Sequence, residues 1–134
     1  MFNLLAGRTR VEIGAFATPN HENTKELLAS AGFDPRPRWS WTRPGRNVSM
    51  TTRQIDKTIN EWLAVRHAIA HGHATLSPVP VVQVVREDPK NPPSDPSLRL
   101  VDAEHCLDFV KLLACITGAA LAGHLQVPAP PGWK

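Results

Sequence analysis

Six of the thirteen prolines in this chain fall between Pro78 and Pro96. A ring that fixes φ and removes the N–H disrupts helices and sheet ladders alike, so this stretch reads as one long irregular connection, 77–98. Regular structure must then lie on either side of it. At 134 residues the chain suits a single small domain, 1–134, rather than two. Its 42% hydrophobic and 20% charged residues are globular usage, which excludes wholesale disorder. No uninterrupted apolar run approaches about 18 residues, so no transmembrane span and no membrane partner are expected. Residues 1–8 lack the basic and apolar regions of a signal peptide. Cys106 and Cys115 share one expected helix about 13 Å apart. That exceeds the roughly 7 Å reach of a disulfide, which points to reduced thiols and a cytoplasmic protein.

Helix signals are local and clear. Asn20 is an N-cap, Glu22 follows in the first turn and Gly32 can take the C′ position, which bounds a helix over 21–31. Thr51 and Gln54 form a capping box, with Met50 and Ile55 as its hydrophobic staple. That helix runs over 52–71 and ends at Gly72. On it Ile55, Ile59, Trp62, Arg66 and Ile69 fall within about 80° of each other, with Leu63 on the flank. Arg66 therefore sits near the middle of an apolar stripe, the oddest placement in the chain. The β-branched run 79–85 reads as an edge strand, and 98–101 as its partner in a small β-hairpin between the two long helices. Asp102 would cap a last helix, 103–126, with Leu107, Val110, Leu113, Ala114 and Leu121 on its core side. Its Gly118, Ala119, Ala120, Ala122 and Gly123 would allow close backbone approach. Residues 1–16 fit a helical turn or a strand, and 127–134 should be irregular. The class is all-α.

The net charge of +3 is unevenly distributed. Residues 35–55 carry Arg36, Arg38, Arg43, Arg46 and Arg53 without an acid, which leaves −2 for the remainder. The same segment holds Trp39 and Trp41, and Pro35, Pro37, Pro44 and Gly45 make 33–49 a loop. Clustered arginines with aromatics point to an anionic partner, nucleic acid before membrane. All seven residues are candidate RNA contacts, although at least one Trp should be structural, since Trp is mostly buried.

The string Arg66-His67-Ala68-Ile69-Ala70-His71-Gly72-His73 carries the chemistry. It supplies a cation able to meet charge developing on phosphorus, and groups able to move protons near neutrality. Arginine grips phosphate through two parallel hydrogen bonds and histidine titrates in the right range. A helix C-terminus favours imidazolium at His71 by about 0.3–1 kcal/mol.

This R-x4-H string resembles the HEPN domains, most closely the RiboL-PSP-HEPN branch, whose motif commonly reads Arg-Asn-x-Ile-Ala-His-Gly. His67 stands here where Asn is usual. Residues 19–23 and 25–28 resemble the family's segment upstream of the motif, and 108–113 its last helix. The resemblance spans about residues 18–126. It implies a HEPN-like helical bundle, homodimeric through the motif helix. It also implies a metal-independent endoribonuclease that needs no cofactor, a toxin or antiviral defence module with an antitoxin protein as a further partner. Arg66 would hold the scissile phosphate, His71 would move a proton and His67 would orient the pair. The chain departs from the family in two ways. It has little before Thr18 to supply the usual long first helix. It has no Tyr, with His73 at the position some HEPN toxins have modified.

Two other classes fit the same residues. One is a catalytically silent HEPN-type domain that binds RNA or nucleotide or mediates protein assembly; such domains usually lose Arg66 or His71 equivalents. The other is a metal site on His67, His71 and His73, since i, i+4 histidines have ligand spacing. The absence of a neighbouring Glu or Cys makes a metal the lesser expectation.

Overall fold

Local capping sets the helix boundaries. The computed structural model describes residues 20–43 and 48–129. Helix α1, His21–Ser30, opens with the Asn20 side chain accepting from the Asn23 N–H at 2.7 Å. Gly32 closes it at φ +80°, with the Gly32 and Phe33 N–H groups donating to Ala29 and Leu28. That paired return is a Schellman motif. Helix α2, Thr52–Ala70, starts from the expected capping box: the Thr51 N–H donates to Gln54 Oε1 at 2.8 Å, and the Gln54 N–H reaches Thr51 Oγ1 at 3.4 Å. Between these helices lie a 3-10 turn, Arg36–Arg38, and strands β1, Trp41–Arg43, and β2, Val48–Met50. Helices α3, Gln83–Glu87, and α4, Leu100–Leu125, follow. The described residues are thus mostly helical, as expected of an all-α chain.

The β-hairpin is in a different place from the one expected. Strands β1 and β2 pair antiparallel with Trp41 opposite Met50, Thr42 opposite Ser49 and Arg43 opposite Val48, inside the segment expected to be a loop. Trp, Thr and Val flank Pro44-Gly45, a turn signal between strand formers that the weight given to prolines obscured. The expected strand over 79–85 is instead a turn leading into α3. Val81, Val82 and Val85 are buried, which is helical spacing, and the Val82 N–H returns to the Val79 carbonyl at 3.0 Å. Packing on one side overrides the β-propensity of the run. Its supposed partner, 98–101, leads into α4.

The chain divides into two compact units, residues 1–55 with 114–134, and residues 56–113. In the first, Trp39 is 1% exposed and its indole N–H donates to Thr117 Oγ1 at 3.0 Å. The Lys25 ammonium lies 5.4 Å from the centre of the same ring. Enclosing a side chain of this size contributes about 4–6 kcal/mol of hydrophobic free energy. The Thr52 hydroxyl donates to the Arg36 carbonyl at 3.1 Å and ties the 3-10 turn to the start of α2.

In the second unit Val65, Val81, Val82 and Val85 form the core, with Trp62 and Leu76 partly buried against it. Asp102 is 2% exposed and does not cap α4 as the residue before it. It occupies the third helical position, and its two oxygens accept from the Arg99 N–H at 2.7 Å and from the Gln83 N–H at 2.6 Å. One carboxylate thereby caps both α3 and α4, which explains why α4 begins three residues earlier than expected.

The faces of both long helices also differ from expectation. On α2 the buried side passes through Ile55 and Val65, with Ile59 and Trp62 partly covered, while Arg66 and Ile69 are exposed, the latter by 63%. From Trp62 the helical ladder continues equally well to residue 65 or 66, and only Val65 is buried without the cost of desolvating a guanidinium. On α4, Leu107 and Val110 are 53% and 52% exposed and Ala114 is also exposed, so the expected core side is largely open. This helix is apolar almost all round and offers no stripe to read. By length and composition alone it is also apolar enough to cross a membrane, and little of its most apolar stretch is buried. Asp102, Glu104, Asp108 and Lys111 interrupt its apolar residues, so no unbroken apolar run marks it in the sequence.

Candidate functional site

The motif occupies the C-terminal end of α2. Gly72 takes φ +60°, and the Gly72 and His73 N–H groups donate to Ile69 at 3.1 Å and Ala68 at 2.9 Å. This second Schellman motif fixes His71 as the capping residue and turns His73 back beside it. The imidazoles of His67 and His71 stack with centroids 5.9 Å apart and planes 6° from parallel. His73 extends the column, 5.9 Å from His71 at 26°. All three histidines and Arg66 are exposed. The Arg66 guanidinium has no hydrogen-bond or ion-pair partner among the described residues. No group of three or more His, Cys, Asp or Glu side chains among the described residues is placed to hold a metal ion.

Arg66 and His71 are five residues apart on one helix, so they project about 140° apart. His67 and His71, by contrast, share a face and are already in contact.

The arginine segment, in the other unit, is less uniform than its sequence. Arg36 is bound by Asp34: its Nε donates at 2.8 Å and its Nη2 at 2.7 Å to the two carboxylate oxygens. These bonds hold the Asp34 carboxyl below its ordinary range and raise the Arg36 guanidinium. The contribution of the pair is present above the ordinary carboxylate pKa and is lost as pH falls through the lowered value, so Arg36 stays occupied at neutral pH. The acid just outside the basic run was the missed signal. Arg38 and Arg53 are exposed and without a hydrogen-bond or ion-pair partner among the described residues. Trp39 is enclosed and cannot stack on a base, which corrects its assignment as an RNA contact and satisfies the expectation of one structural Trp. Trp41 is half-buried. Arg46 and the Arg43 side chain lie outside the described residues.

Comparison with protein-family models, curated proteins and solved structures returns no match to this chain. The case for a function rests on its own residues.

Proposed function

We propose that this chain is a HEPN-like, metal-independent endoribonuclease, acting as a cytoplasmic homodimer through α2 in a toxin or defence role. The observation that carries the reading is the set Arg66, His67 and His71. They have the spacing of a ribonuclease motif, and they stand exposed at a helix end without side-chain hydrogen bonds among the described residues.

In this mechanism Arg66 donates two parallel hydrogen bonds to the non-bridging oxygens of the scissile phosphate and balances the charge that builds there. His71, as the neutral imidazole, removes the proton of the 2′-hydroxyl, and the 2′-oxygen attacks phosphorus. The bond to the 5′-oxygen breaks, and a second, protonated imidazole returns a proton to it. The products are a 2′,3′-cyclic phosphate and a 5′-hydroxyl. The wide angle between Arg66 and His71 favours a site made from two copies, each supplying an arginine to one phosphate and a histidine to the same strand. His67, stacked on His71, limits the ring's rotation.

The test is cleavage of total RNA in EDTA by wild type beside His71→Ala, with both shown to be folded dimers. Cleavage by wild type alone, leaving cyclic-phosphate ends, is the expected result. Equal cleavage by His71→Ala overturns the assignment, and no cleavage by a folded wild-type dimer replaces it with the silent binding domain.

A further inference from the structure

The first unit contains a cleft of about 940 Å³ between the turn after α1 and the C-terminal half of α4. This is the size of sites that hold drug-sized ligands. Its apolar side is formed by Phe33, Ile116, Ala120 and Gly123, and Arg38 and His124 also line it. Three features give it chemical character. Arg38 is the lining cation left free, because Asp34 is already occupied by Arg36. His124 is exposed, yet its ring is buttressed by the buried Phe33 ring at 5.5 Å and 52°. A Cβ at Gly123 would meet nothing within 4 Å, so the wall there is open and flat.

We infer that this cleft binds one nucleotide unit, with the base laid over the small-residue wall beside His124 and the phosphate on Arg38. A planar ring needs a wall without protruding side chains and an aromatic edge or face to lie against. A phosphate needs an arginine not already spent on a carboxylate. The inference deepens the RNA-directed reading above and rests on it for the choice of a nucleotide over other planar anions. The chemistry is the same for a free mononucleotide and for one residue of an RNA strand. His124 gains a role that its isolation in sequence concealed.

The experiment is calorimetric titration of the full chain with 5′-AMP, with inorganic phosphate and with a short oligodeoxyuridylate, which lacks the 2′-hydroxyl that cleavage needs. Wild type binds 5′-AMP or the oligonucleotide, and phosphate at least tenfold more weakly. Binding of both nucleotides identifies the shared unit, and binding of the oligonucleotide alone identifies a strand residue. Gly123→Leu, which fills the open wall, and Arg38→Gln each weaken binding at least tenfold. A protein that binds nucleotide through the cleft and never cleaves RNA refutes the nuclease and leaves the cleft standing. The inference is overturned if neither nucleotide binds, if phosphate alone binds as well, or if both cleft variants, folded by circular dichroism, bind as wild type does. Should Gly123→Leu not fold, Gly123→Ala and Arg38→Gln decide.

Discussion

The turn around Arg36 and the end of α2 contain similar residues and use them in opposite ways. In the turn, Arg36 is clasped by Asp34 and Trp39 is enclosed beneath Lys25 and bonded to Thr117. At the end of α2, Arg66, His67, His71 and His73 stand in the open, with the three imidazoles stacked in a column. The first region has drawn most of its polar and aromatic groups into folding; the second has drawn in none. Residue type did not distinguish them. What distinguishes them is whether a neighbouring group has already claimed the side chain's hydrogen bonds or surface, and a site for a ligand needs side chains left unclaimed.

The largest effects should divide along that line. Trp39→Ala should cost about 3–5 kcal/mol of stability, read as a lowered urea midpoint, because it opens a large cavity and removes the indole hydrogen bond to Thr117. His71→Ala should leave the midpoint within about 0.5 kcal/mol and lower the cleavage rate about 10²–10⁴-fold. Next comes Asp102→Ala, which unpairs two N–H groups at the starts of α3 and α4 and should cost about 1–3 kcal/mol. It has no counterpart at the end of α2, where no side chain is buried.

A smaller effect sharpens the comparison within the turn itself. Arg38→Ala should reduce the salt slope of single-stranded RNA binding by about 0.7, whereas Arg36→Ala should leave it nearly unchanged. Removing the clasp with Asp34→Asn should release Arg36 and steepen the slope by about the same amount. The smallest effect is at the end of α4, where Gln126 holds φ 57° in a third Schellman motif. Gln126→Gly should raise stability by a few tenths to about 1 kcal/mol in thermal unfolding, since glycine adopts that backbone without strain.

What could be read from sequence followed the range of the forces involved. Asn20, Gly32, Thr51 with Gln54, and Gly72 were legible because caps are made by residues a few positions apart. The choice between Val65 and Arg66 as the buried residue of α2 was not legible, because it depends on Val81, Val82 and Val85 packing from another segment. Asp102 was recognised as a cap, but its second acceptor bond to Gln83 reaches nineteen residues away. The hairpin at Trp41 and Met50 was not legible because Pro35, Pro37 and Pro44 argue for a loop, although none of them falls among the paired residues 41–43 and 48–50. At the candidate site the spacing of Arg66 and His71 was visible at once. That Trp39 is structural and Trp41 only half-buried was not, for the two lie two residues apart in the same chemical setting.

The most direct measurement takes Arg66→Ala and wild type through urea unfolding and RNA cleavage in EDTA on the same preparations. Superimposable unfolding curves with cleavage lowered at least about 10²-fold are predicted, because the proposal assigns Arg66 to phosphate and its guanidinium has no partner among the described residues. A lowered midpoint with cleavage retained would contradict the account and make Arg66 a structural residue like Trp39.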